Sequence, residues 1–339
     1  TLLRIDHIEM TRLRSAVMAA DEAEERENRP VLVAGSIGPM AVTASLSPKV
    51  TDPAYRAINF EQLRQAYRHQ VIALADGGVD ILLLETIFDT LNAKACLYAI
   101  DELREERELP PVIISFPITD RAGRTLSGQT VEAFWNSVRH ARPLAISINC
   151  ALGADLMKPF AAKLAELADC AVCLYPNAGL PDPLSPTGYE HSAAHMAGIL
   201  RDYGQEGMLN IVGGCCGTTP EYIRKTVEKT KNLPFALPSK KNKTVVSSYT
   251  HAVEIGNAPV IIGERINPTG KKLFKEALRR NDLNYILNEG VSQHKKGVSI
   301  LDVNVGLPEI DEKAMLTSVV SSLQAVSDLP LQIDTVDYD

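Results

Sequence analysis

Residues 80–108 read DILLLETIFDTLNAKACLYAIDELREERE, and the spacing of their apolar side chains changes partway along. From Asp80 to Glu85 the apolar run is nearly continuous, as in a short strand covered on both faces. Beyond it Ala93, Cys96, Leu97, Ile100 and Leu103 recur at helical spacing, and the charged run DELREERE is a solvated helix face. The stretch is one strand-helix unit. Working outward, similar apolar runs return at roughly 30 to 45 residue intervals, each followed by a helical pattern, which is the signature of a parallel sheet. They are VLVAG (Val31–Gly35), PVIISF (Pro111–Phe116), LAISINC (Leu144–Cys150), CAVCLYP (Cys170–Pro176) and MLNIVGG (Met208–Gly214). Between the first two units Phe60, Leu63, Tyr67, Val71, Leu74 and Ala75 form another helical stripe. Six strands, preceded by an amphipathic helix with no strand before it, do not suit a doubly wound sheet with glycine-rich phosphate turns. The expectation is an α/β fold, a TIM-type (β/α)8 barrel lacking its first two strands, with its chemistry at the C-terminal strand ends.

The chain has 339 residues, enough for more than one core. Residues 233–258, within LPFALPSKKNKTVVSSYTHAVEIGNAP, carry prolines, a basic cluster and weak periodicity, and read as a linker. Three further strand candidates follow, VIIGERI, VSILDVNVG and LQIDTV, separated by helical stretches. The expected domains are therefore 1–232, a partial barrel, and 259–339, the start of a second (β/α)8 barrel that the chain leaves truncated.

A hydrophobic fraction of 45% and a charged fraction of 23% are those of an ordinary soluble protein. The net charge of -7, with both signs interspersed, argues against nucleic acid and against a polybasic membrane surface as partners. No apolar run reaches the roughly 20 residues that span a bilayer, and the expected location is cytoplasmic. Six cysteines are too few for a disulfide scaffold and suit a reducing compartment.

Two of those cysteines are adjacent, in NIVGGCCGTT (Asn210–Thr219). Burial, redox chemistry or a shared metal would each account for the pair. It follows a strand, and Thr219 with Pro220 looks like an N-cap and first-turn proline opening a helix whose positive end favours thiolates. Cys150 ends another strand in INCALGAD, with Asp155 as a candidate cap. In a closed barrel both strand ends face the mouth, and three converging thiolates suit tetrahedral zinc with a fourth position open. Cys96, Cys170 and Cys173 lie on an apolar helix stripe or within a strand and read as core.

Together GGCCGTTPEYI, INCALG, GSIGP, LLLETIFDTLNAK and YPNAGLP resemble the zinc-dependent homocysteine S-methyltransferase family over nearly all of residues 1–232. IIGERINPTGKK and ILDVNVG resemble the pterin-binding barrel that follows it in the cobalamin-dependent methionine synthases. The resemblance implies that Cys150, Cys215 and Cys216 are the zinc ligands and catalytic centre. It implies that Glu85 holds the α-amino group of homocysteine, where a structural acceptor for loop amides is the other reading. Gly35 and Ser36, with Gly38, would approach the substrate carboxylate or simply form a turn. Asn177 would supply a weak zinc ligand in the absence of substrate, or serve as a turn former.

Asp302 and Asn304, two apart on a strand, project to one face and suit the donor-rich edge of a pterin. With Glu264, Asn267 and Asp334 they match the family's site for 5-methyltetrahydrofolate, although each would also serve as a helix cap. The implied reaction passes a methyl group from folate to cobalamin and then to homocysteine, giving methionine, with the cobalamin domain outside this chain, which would be an N-terminal portion. Alternatives are a related enzyme with another methyl donor and a non-catalytic module that zinc stabilises.

Overall fold

The computed structural model describes residues 7–52, 55–185 and 188–337. The chain divides into two units, one formed by Ala57–Lys241 with the residues up to Ser45, the other by Asn242–Asp339 with Leu46–Arg56. In the first unit a helix α1 (His7–Glu27) leads into six strands: β1 (Ala34–Ile37), β2 (Ile81–Leu84), β3 (Val112–Phe116), β4 (Ala145–Gly153), β5 (Ala171–Asn177) and β6 (Ile211–Val212). Each strand is followed by a helix: α2 (Phe60–Asp76), α3 (Thr90–Glu106), α4 (Val131–Val138), α5 (Lys158–Leu167), α6 (Ala193–Gln205) and α7 (Pro220–Thr230).

All six strands pair in parallel and in chain order, β1 through β6. That is the winding of a barrel wall, since a doubly wound sheet reverses its strand order at a switch point. Every expected strand of this unit is present, with β6 shortened to two residues.

Side chains alternate between the two faces of the sheet. Leu82, Leu84, Ile114, Ile146, Ile148, Val172 and Leu174 face the helices and join the main core with Leu63, Tyr67, Ile100, Phe134 and Trp135. Phe116 and Phe134 stack with ring centroids 4.0 Å apart. The other face carries a smaller cluster of Ile113, Ala145 and Cys173, with Ile81, Leu83, Ala171 and Tyr175 against it. Toward the C-terminal strand ends this second face turns polar. Ser115 pairs with Ser147, and Asn149 with Tyr175, across neighbouring strands.

The helices begin where side chains can cap them. Asn59 and Gln62 exchange bonds in a capping box on α2, and Asp89, Thr130 and Ser192 cap α3, α4 and α6. Two expected caps differ. Thr219 precedes Pro220 as expected but makes no side-chain capping bond. Asp155 lies in a 3-10 turn; the N-cap position of α5 is Met157, and the Asp155 carboxylate instead lies 3.4 Å from His191 Nε2.

The second unit opens within the stretch expected as a linker, with an antiparallel hairpin of β7 (Thr244–Ser247) and β8 (Ala252–Ile255). Val246 opposite Val253 and Thr244 opposite Ile255 supply the β-branched cross-strand pairs that the surrounding lysines and prolines obscure. It continues through β9 (Ile262–Ile266), α8 (Lys272–Arg279), α9 (Leu283–Lys295), β10 (Ile300–Val303), α10 (Glu312–Val326) and β11 (Leu331–Ile333). Among the described residues its parallel sheet has three strands, with β10 between β9 and β11. Its core gathers Ile266, Phe274, Ile286, Val303, Val319 and Leu323. No helix among the described residues is long and apolar enough to cross a membrane.

Candidate metal centre

Cys150 lies near the C-terminal end of β4, where the pairing with β5 shifts register between Asn149 and Gly153. Cys150 and Ala151 both adopt left-handed backbone, with φ of 60° and 58°. Such conformations are rare for residues with a Cβ and cluster where function demands a particular aim. The adjacent pair sits in the loop between β6 and α7. Cys215 N donates to Pro176 O at 2.8 Å, Ala178 N donates to Cys216 O at 2.9 Å, and Cys216 N donates to Asn177 Oδ1 at 3.2 Å. The loop is thereby laced to the end of β5. Gly217 closes the turn at φ 78°, and a Cβ there would lie 2.3 Å from the Tyr189 ring.

These constraints bring the Sγ atoms together: Cys150 and Cys216 at 3.4 Å, Cys215 and Cys216 at 4.0 Å, and all three within 4.8 Å of one another. A tetrahedral ion with metal–sulfur bonds of about 2.3 Å needs sulfurs roughly 3.8 Å apart, so the trio fits a zinc-sized ion with little adjustment. No other cluster of three or more potential metal-ligating side chains occurs among the described residues.

The electrostatics point the same way. The Cys215 and Cys216 thiols, acting as donors, pull Cys150 down to about 5, and the resulting negative charge pushes both of its neighbours up. Left to itself the cluster thus holds one charge, and three thiolates together require a cation. Outside the trio, burial pushes Cys170 and Cys173 up to about 12 and raises Cys96 further, as befits core thiols.

Glu85 follows β2 on the polar face of the sheet. Ser36 Oγ donates to its Oε1 at 2.6 Å and Tyr175 Oη to its Oε2 at 3.2 Å. Burial holds the Tyr175 phenol well above its usual range, which keeps it a donor. The expected residues Glu85 and Ser36 are therefore joined. At Gly35 a Cβ would meet Leu74 and Val79 at 3.0 Å, so the missing side chain lets Leu74 of α2 pack closely on β1. Asn177 is 5% exposed, and its Oδ1 is engaged by the Cys216 amide.

Sequence reasoning passed over Tyr175, Thr86, Ser115 and Asn149. Asn149 Nδ2 donates to Thr86 Oγ1 at 2.9 Å, and Ser115 Oγ donates to Asn149 Oδ1 at 2.7 Å. For Ser115, Asn149 and Tyr175 the signal was present as single polar residues within otherwise apolar strands; Thr86 lies beyond the end of β2.

In the second unit Asn304 Nδ2 donates to Asp334 Oδ2 at 3.0 Å, and Gln332 Nε2 donates to Asp302 Oδ1 at 2.8 Å. Burial, together with the charges of Asp334 and Glu264, raises Asp302 above the usual carboxylate range. Four of the five expected residues thus gather. Asn267 instead turns its Oδ1 to the Thr269 amide at 2.8 Å.

A parallel strand-helix wall with three thiols converging at its C-terminal rim defines the class: an α/β protein with a cysteine cluster able to hold a metal ion, at the place where such walls carry their chemistry. The homocysteine S-methyltransferase family matches residues 3–230, and the chain belongs to that family of enzymes, which transfer a methyl group to homocysteine. Among solved structures, the oxidised form of the homocysteine methyltransferase MmuM from Escherichia coli is similar in fold, with a TM-score of 0.51 at 22% identity, over 66% of this chain and 71% of that one. The metallated form gives 0.49 at 22% identity over the same shares, 66% and 71%. The apo form gives 0.47 at 21% identity, over 64% and 69%.

Proposed function

We propose that the first unit holds zinc on Cys150, Cys215 and Cys216 and presents homocysteine for methylation, and that the methyl group originates from 5-methyltetrahydrofolate bound by the second unit, as in the cobalamin-dependent methionine synthases. The convergence of three sulfurs from two strand ends carries the zinc reading. Zinc bound there would keep a fourth, substrate thiol deprotonated at neutral pH, where a free thiol near ~8.5 is mostly protonated. The chain's own groups do the rest. Three cysteine thiolates leave the centre net negative, which keeps a substrate sulfur electron-rich. Glu85, held by Ser36 and Tyr175, offers a fixed carboxylate for the α-amino group. Asn177 holds the Cys216 loop through its oxygen and would be released only if that amide moved.

The folate half of the reading rests on the acid and amide groups gathered at the ends of β9, β10 and β11, with the second unit taken as part of a pterin-binding barrel. Asp302, Asn304, Asp334 and Glu264 present acceptors and a carboxamide that suit the amide and aminopyrimidine edge of a pterin. Cobalamin would be the methyl carrier, and no residue of this chain is assigned to it.

Metal analysis and X-ray absorption on the full chain test this reading. About one zinc per chain is expected, lost in Cys215→Ala, and homocysteine should add one sulfur to the metal shell while releasing a proton. A zinc shell that homocysteine leaves unchanged would overturn the substrate assignment. Calorimetric binding of 5-methyltetrahydrofolate, abolished in Asp302→Ala, tests the second unit.

A further inference from the structure

The three thiols are not equally supported. Cys215 alone of the three accepts from a side chain outside the trio, Asn149 Nδ2, at 3.9 Å. Asn149 is fully buried, and its carboxamide is fixed at its other corners by Ser115 at 2.7 Å and Thr86 at 2.9 Å.

A carboxamide has two N–H donors and one acceptor oxygen, and here all of them have partners. Reversing the group would turn oxygen lone pairs toward a sulfur that, as a thiolate, can only accept. Thr86 holds its hydroxyl in place at φ 59°, an uncommon backbone for a β-branched residue. The neighbouring ligands lack any such frame, Cys150 lying on the register shift of β4 and Cys216 being exposed.

We propose that Asn149 is a positioning residue that makes Cys215 the anchored, least reactive sulfur of the centre. Its N–H holds Sγ in place and draws charge from it, as hydrogen bonds to metal-bound sulfur do. Cys215 therefore stays a ligand when an alkyl donor reaches the centre and is not itself alkylated. The inference rests on the zinc reading above.

The test is per-cysteine alkylation of the zinc-loaded full chain by iodoacetamide, in which sulfur bonds to the carbamoylmethyl carbon and iodide leaves. Peptide mass spectrometry reads the rate at each cysteine. In the wild-type chain Cys215 should be the slowest of the three. Asn149→Ala should speed Cys215 by roughly tenfold, the equivalent of one hydrogen bond to a charged group, and leave Cys150 and Cys216 unchanged. Ser115→Ala, which frees the carboxamide to turn, should act in the same direction to a smaller degree and serves if Asn149→Ala does not fold. A uniform acceleration of all three cysteines, or an unchanged Cys215 rate in the folded variants, overturns the proposal. A wild-type chain that takes up no zinc overturns the zinc reading and this inference together. A zinc-loaded chain whose Cys215 ignores Asn149 overturns this inference alone.

Discussion

Ala151 and Gly217 show opposite sides of one constraint at the cysteine cluster. Both take left-handed backbone, but Ala151 carries a Cβ and supplies no ligand. Left-handed backbone costs an L-residue roughly 1–2 kcal/mol, and glycine gives back part of that through its freer unfolded chain. Ala151→Gly should therefore stabilise the first unit by up to about 1 kcal/mol, read as a higher urea midpoint. Gly217→Ala meets the Tyr189 ring as well as the φ penalty, and should cost about 1–3 kcal/mol. Because Gly217 follows both cysteines directly, the same change should also lower zinc affinity in chelator competition.

At the scale of elements, the capping box on α2 is the clearest local device. Gln62 N donates to Asn59 Oδ1 at 2.9 Å and Asn59 N donates to Gln62 Oε1 at 3.1 Å. Asn59→Ala should cost about 1 kcal/mol and lower the thermal midpoint of the first unit. The strands were legible because continuous apolar runs such as ILLL and VIISF admit little else when a helical stripe follows them. The thiol trio was legible because cysteines at strand ends are few. The register shift after Asn149 was not, since no glycine or proline stands at Cys150 or Ala151 to mark a left-handed turn. Nor was the frame around Asn149: Ser115, Asn149 and Tyr175 become one group only when strand register sets them side by side. The hairpin of β7 and β8 was hidden by its setting, because prolines and lysines on one side outweigh a pair of four-residue strands.

At the scale of the whole molecule, the second unit carries a cost that its proposed ligand would explain. Asp302 is 4% exposed, and its burial, together with the nearby Asp334 and Glu264 charges, raises it above the usual carboxylate range. A raised acid binds its proton more tightly in the folded state than in the unfolded one, so its ionised form costs stability above the folded value. That cost fades as pH falls through the folded value to the unfolded one near ~3.9, and is gone below it, where both states are protonated. Asp302→Asn keeps an oxygen for Gln332 and should be more stable than wild type at neutral pH, with the gap closing in acid. Denaturation followed by circular dichroism at several pH values checks this, and folate binding should weaken in the same variant.

The chain's single tryptophan, Trp135, is 1% exposed in the first unit's core, whereas Cys150 and Cys216 stand 66 residues apart in sequence. Bringing such distant residues together in an unfolded chain costs between about 3 and 5 kcal/mol of entropy, so before folding an ion meets only the adjacent pair. A zinc ion held by the trio would then join a wall already built rather than nucleate it. In refolding with zinc present, chelator-resistant zinc should therefore appear after the Trp135 fluorescence has reached its native value, and a cell short of zinc would accumulate folded, empty protein rather than unfolded chains.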